Sequence, residues 1–308
     1  MTAQYPRKVG LIVSEGDSGL DLSEMHIQFK VTQQDASAPN TAEIRVFNLK
    51  DETAQRIQNE YQHVALQAGY DGGQFGKIFE GTIKQVRRGK VNATDTFVDI
   101  LAADGDKAYN FAVVNKSLAA GSTLADRAKA VGEATAPLGT KMGDTSGLVG
   151  GTLPRGRVLF SLGREEMDNI SDSGNVSWSI QNGEVVLVSD TGYLPGEAVV
   201  LNSRSGMVGV PEATNDGILV TCLLNPLLRI GGRVQIDNKS INTTNVREQG
   251  YPRYTDITYI AQTSNDGFYR VLVIDHEGDN RANPFYSKLI CLAVDPSSKP
   301  DNSVKAYG

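Results

Sequence analysis

The chain has 308 residues, 40% hydrophobic and 21% charged, which is enough for more than one packed unit and lies outside the disordered range. Its 30 basic and 36 acidic side chains leave a net charge of −6, which argues against the clustered positive surface of a sequence-independent nucleic-acid binder. No apolar run approaches the roughly 18 residues of a membrane-spanning helix, and the first residues lack a signal-peptide core, so synthesis and folding in a cytoplasm, without stable membrane association, are expected.

Residues 9–13 read as a short strand, and Met25, Ile27, Phe29 and Val31 alternate with polar neighbours as in a half-buried strand. Ile44 and Val46 continue that pattern, as do Val64, Leu66, Ala68 and Tyr70, and then residues 97–101. Between them, Ala54, Ile57 and Tyr61 recur at helical spacing over 51–61. Asp71-Gly72-Gly73 and Asp104-Gly105 are turn signals, because glycine accepts the positive φ of tight turns. Residues 1–106 are therefore expected to form a first β-barrel-like domain.

The pattern changes after Asp106. Thr123-Leu124-Ala125-Asp126 has the form of a capping box, opening a helix through Leu124, Ala128 and Val131 that Pro137 and Gly139 stop. A glycine-rich stretch over 143–156 precedes a second helix expected at 164–171, burying Met167 and Ile170. Val176, Trp178 and Ile180 then alternate, Asn182-Gly183 turns, and 185–188 return, the signature of a type I′ hairpin. Residues 107–204 read as a small α/β domain.

Strands are expected again at 218–224, 233–237, 257–262, 268–274 and 288–294, making 205–294 a second β-barrel-like domain. Residues 295–308, with Pro296 and Pro300, read as an extended tail. The fold class is thus α+β, mainly β: two small β-barrel-like domains flanking a small α/β domain.

Chemistry has few footholds. Cys222 and Cys291 sit in apolar segments with no CxxC spacing, and read as buried structural thiols. His26 and His63 open or line strands and read as surface or structural histidines. Asp275-His276-Glu277-Gly278-Asp279-Asn280 resembles the start of a calcium loop, but Asn280 stands where the loop needs glycine and Tyr286 where it needs glutamate. A solvated turn between strands is the expectation there. The glycine-rich residues 69–76 lack the Gly-Lys-Ser/Thr ending of a phosphate loop and join two strands, so a hairpin is expected. Glu165 and Glu166 are the carboxylates a cell-wall hydrolase would have to use, although near a helix N-terminus they also suit the helix dipole. Trp178, the one tryptophan, could stack on a sugar as a carbohydrate-binding β-module does, but reads more simply as a core residue under the preceding helix. No catalytic, cofactor-binding or metal-binding residue is assigned, and no cofactor is expected.

The order of segments carries more than any single motif. Pro39-Asn40-Thr41-Ala42-Glu43-Ile44-Arg45-Val46-Phe47-Asn48-Leu49, then Val64-Ala65-Leu66-Gln67-Ala68-Gly69-Tyr70, then Ile78-Phe79-Glu80-Gly81-Thr82-Ile83 resembles the opening domain of bacteriophage tail hub proteins. The helix led by Thr123, the helix after Ser161 and Val176-Ser177-Trp178-Ser179-Ile180-Gln181-Asn182-Gly183 are similar to their middle region. Gly209-Val210-Pro211 followed by Leu223 to Val234 looks like the start of their second barrel, so that the resemblance spans 9–294.

What the resemblance implies is mechanical: a homotrimer in the baseplate of a contractile virion tail, two β-barrels per chain making a pseudo-sixfold ring. That ring joins the tail tube protein to a spike or tail-tip protein, touches other baseplate proteins and passes DNA in transit during genome ejection. The chain would be made in the host cytoplasm and end in the virion. It shows no spike repeat or lysozyme-like domain, so a separate spike protein is expected. A tail-associated cell-wall hydrolase and a carbohydrate-binding module are the alternatives.

Overall fold

The computed structural model describes residues 6–294 apart from 17, 146, 149, 215, 243–262 and 265. The expectations for 257–262 and for the 295–308 tail lie outside the described residues. The first unit holds β1 (Arg7–Glu15), β2 (Ser18–Asp21), β3 (Ile27–Gln34), β4 (Thr41–Phe47), α1 (Asp51–Asn59), β5 (His63–Tyr70), β6 (Phe75–Lys90) and β7 (Thr96–Ala103). The middle unit holds α2 (Asp106–Phe111), β8 (Val113–Leu118), α3 (Leu124–Thr135), β9 (Lys141–Met142), β10 (Arg157–Leu162), α4 (Gly163–Gly174), β11 (Val176–Gln181) and β12 (Glu184–Ser189). The last unit holds β13 (Val199–Leu201), β14 (Met207–Thr214), β15 (Gly217–Leu223), β16 (Arg233–Ile236), β17 (Phe268–Asp279) and β18 (Phe285–Leu292). The fold is α+β and mainly β, and among the described residues no helix is long and apolar enough to cross a membrane.

Period-two burial builds the first unit. Val9, Leu11 and Val13 of β1 and Ile27, Phe29 and Val31 of β3 face one core, joined by Ala54 and Ile57 from α1. A second core gathers Val220, Cys222, Ile236, Tyr269, Ile274 and Leu289, and a third, under α3 and α4, gathers Val131, Leu159, Met167, Ile170 and Trp178.

One sheet nonetheless runs through the first and last units, in the order β14-β15-β18-β17-β3-β4-β7-β6-β5-β1-β2, with β16 paired to β17 and β13 to β16. Its pairs are antiparallel except β13 with β16. The fusion is β17 on β3, with Val273 opposite Gln34 at one end and Asp279 opposite Gln28 at the other. Gly278 lies opposite Phe29 in this register. A Cβ at Gly278 would stand 2.2 Å from the Phe29 ring, so the ring fills the space that any other side chain would need. The far strands curl back, and the Arg7 guanidinium at the start of β1 donates to the Asp279 carbonyl at 3.1 Å.

The expected hairpin at 69–76 forms between β5 and β6. The Asn182-Gly183 hairpin also forms, with φ of 53° and 79° as a type I′ turn requires. Thr123 caps α3, accepting from the Asp126 amide at 3.2 Å while Asp126 accepts from the Thr123 amide at 2.8 Å. One expectation is corrected: 275–280 is not a solvated turn, because β17 continues to Asp279 with β18 on one side and β3 on the other. That double pairing buries His276, Gly278 and Asp279.

Candidate functional site

Among the described residues, several buried polar clusters lie where the units join. The β3 end, the β4 start and the β7 end lie together at one end of the sheet, since Thr41 is opposite both Thr32 and Ala103. Loop residues just beyond these strands receive the β11–β12 hairpin of the middle unit.

Asp35, after β3, is ion-paired with Arg270 of β17, their side chains 6% and 4% exposed. The same guanidinium donates to the Ser189 carbonyl at 2.8 Å and to the Ser177 hydroxyl, while Ser177 donates to Asp35 at 3.1 Å. All three units meet at this point. Losing one partner would leave the other charge buried and unpaired, which costs about 3–5 kcal/mol.

A second joint is Asp104, after β7. Its carboxylate accepts from the Asn182 amide and, at 2.8 Å, from the Gly183 amide. Burial pushes its pKa up to about 7 despite those two donors. Beside it, Asn40 donates to the Ile180 carbonyl at 2.7 Å and accepts from the Gln34 amide at 3.0 Å.

Asp279 closes the first unit on the last. It accepts from Gln28 at 2.7 Å and from the amides of Arg281 and Ala282 at 2.7 and 2.8 Å, and it contacts His26 Nε2 at 3.0 Å. Burial pushes its pKa upward, but the bonds from Arg281, Gln28, Ala282 and His26 together outweigh that and hold it below the ordinary carboxylate value. His26 is further held by stacking on Phe47, ring centroids 4.4 Å apart.

The residues singled out in the sequence are not brought together. Glu166 pairs with Arg127 of α3 at 2.6 Å, both side chains 3% exposed, and so ties α4 to α3. Glu165 is exposed and accepts from the Leu162 amide at 3.4 Å, serving the start of α4. Trp178 is buried against Met167 and Ile170, and its indole N–H donates to Asp168 at 2.9 Å. His63 sits 3.5 Å from Glu80. His276 is enclosed, with Nδ1 2.8 Å from the Ser287 hydroxyl, and burial lowers its pKa to about 4. Cys222 and Cys291 are free buried thiols on β15 and β18, and burial pushes Cys222 up to about 12. Among the described residues no group of three or more His, Cys, Asp or Glu side chains is arranged to hold a metal ion.

Asp35, Asn40, Asp104 and Arg270 are the residues that sequence reasoning missed. Arg270 alone carried a signal, a lone cation inside the apolar run of 268–274, where a buried charge requires a partner.

The same architecture occurs in solved tail proteins and in a secretion-system component. The 43 kDa tail protein of prophage MuSo2 from Shewanella oneidensis superposes with a TM-score of 0.57 at 10% identity, over 94% of this chain and 100% of that one. The tail protein from Neisseria meningitidis MC58 gives 0.55 at 11% identity, over 98% and 99%. An Escherichia coli component of the type VI secretion system, described as similar to T4 tail proteins gp27 and gp5, gives 0.55 at 10% identity over 92% and 77%. A comparison with curated protein sequences finds no significant match. These likenesses show the fold. The profile of the baseplate hub gp41 family matches residues 7–249, and the chain belongs to that family.

Proposed function

We propose that this baseplate hub protein acts as a homotrimeric ring in a contractile tail, adapting the sixfold tail tube to a threefold spike and leaving a channel for genome ejection. The observation that supports this most is the single sheet running through the first and last units, pinned at Asp35–Arg270 and Asp104. Each chain then offers two β-rich units in one stiff frame, and three chains offer the six positions that a sixfold tube contacts. Reading 1–106 and 205–294 as the two barrel-like domains and 107–204 as the α/β domain between them fits this plan, except that Val199–Leu201 pairs with β16 and so joins the last unit.

Its partners are the tube protein, a separate spike or tail-tip protein and neighbouring baseplate proteins. DNA is met only in transit, and a chain of net charge −6 favours sliding over binding, since fixed negative charge repels phosphate. The role is structural rather than enzymatic: Glu166, one of the two carboxylates a hydrolase would need, is spent on Arg127. The chain is made in the host cytoplasm and resides in the virion.

Gold-labelled antibody against the purified chain, applied to intact particles, tests the assignment. Label confined to the distal end of the tail supports it. Label along the tail shaft, on the capsid or only on unassembled protein overturns it.

A further inference from the structure

We infer that Asn182 is a latent site of spontaneous deamidation, and that the Asp104 carboxylate keeps it closed by holding the nitrogen that would attack. The inference uses the joint described above and does not depend on the ring.

Asn182-Gly183 is the one Asn-Gly pair in the 308 residues. Deamidation at such a pair is a ring closure. The Gly183 nitrogen gives up its proton, its electron pair attacks Cγ of Asn182, and the new N–C bond displaces ammonia, which carries the proton away. Water then adds to either carbonyl of the resulting succinimide and opens it to aspartate or isoaspartate. Glycine favours the closure because no side chain shields its nitrogen. Asn182 is exposed, and among the described residues its side-chain amide makes no hydrogen bond. The electrophile is therefore open to water.

The nucleophile is held. Asp104 accepts the Gly183 N–H at 2.8 Å with one oxygen and the Asn182 N–H with the other. Beyond it, the Gly183 carbonyl accepts from the Lys141 amide at 2.9 Å. These three bonds fix the turn at φ of 53° and 79°. Closure requires the Gly183 proton to leave, and a carboxylate beside the nitrogen opposes the negative charge that its loss creates. Closure also requires the Gly183 peptide to turn away from Asp104, which breaks a charge-assisted hydrogen bond, stronger than a neutral one. Once formed, aspartate at this position would set a second negative charge near Asp104, and isoaspartate would add a carbon to the backbone of a two-residue turn. Either change weakens the joint between the first and middle units.

The test is peptide mass spectrometry of the full chain incubated at pH 8, counting the amide-to-acid conversion at Asn182 alone. All samples meant to be folded are kept well below their thermal midpoints. The folded wild type should convert about tenfold more slowly than the same chain held unfolded in guanidinium chloride. Asp104→Ala should remove most of that protection. Asp104→Asn, which keeps the shape of the side chain but not its charge, should remove part of it and carries the prediction if Asp104→Ala does not fold. Asn40→Ala loosens the same joint by losing the bond to the Ile180 carbonyl but leaves both Asp104 bonds, so it should convert at the wild-type rate. A wild-type chain that converts as fast folded as unfolded overturns the inference. Folded Asp104 variants that convert no faster than wild type also overturn it, since the carboxylate would then be idle or act as a base. Conversion of Asn40→Ala as fast as the Asp104 variants overturns it too, because general loosening would then be the cause.

Discussion

Asp35 and Arg270 are 235 positions apart and form an ion pair closed off from solvent at the point where all three units meet. The pair is partnered from the middle unit by the Ser177 hydroxyl and the Ser189 carbonyl. It is a mechanical feature, tying the first, middle and last units at one point.

Arg270→Ala should lower stability by about 3–5 kcal/mol, because Asp35 is left buried and unpaired. Asp35→Ala should cost a similar amount. The two changes together should cost clearly less than the sum of the single effects, and denaturant midpoints in a double-mutant cycle measure this coupling.

Stability should depend on pH through two buried groups that act in opposite senses. Asp104 has its pKa raised from 3.8 to about 7, so its stabilising contribution is full below about 3.8 and is lost as pH rises through about 7. His276 has its pKa lowered from 6.5 to about 4, so its contribution is present above about 6.5 and is lost as pH falls through about 4. Relative to wild type, Asp104→Asn should therefore gain stability on going from pH 4.5 to 7.5. A difference between the two proteins that does not change with pH would contradict the assignment.

Gly278→Ala should destabilise by about 1–3 kcal/mol through overpacking against Phe29. The clash is local to the β3–β17 seam, so the loss should appear first as faster amide exchange in β3 and β17, with α3 and α4 unchanged.

Trp178 should report burial. Its emission should be blue-shifted and poorly quenched by iodide, and it should not respond to glycans. Glu166→Gln should lower the thermal midpoint by weakening the pair with Arg127, whereas Glu165→Gln at the exposed α4 start should fall within about 0.5 kcal/mol of wild type.

Much of the fold was legible because local chemistry and tertiary structure agree. Alternation marks β1, β3 and β5, the Thr123–Asp126 box marks α3, and Asn182-Gly183 marks a hairpin that forms as expected. The second half of β6 gives no signal because it is largely polar, and β8 and β10 give none because apolar residues such as Val113, Val158 and Phe160 on their exposed faces erase the alternation. The end of β17 was read as a turn because its charged residues look solvated until β3, more than 230 residues away, is laid beside it. The joints were hidden for the same reason: Asp35, Asn40 and Asp104 look like ordinary loop residues, and only their distant partners make them structural.

The central claim is the ring, and the most direct measurement is the mass of the purified chain by light scattering with negative-stain images of the same peak. A trimeric ring gives a species of three times 33.1 kDa whose averages show threefold symmetry and an open centre. A species that remains at 33.1 kDa at every concentration, or a closed particle without a central opening, would contradict it.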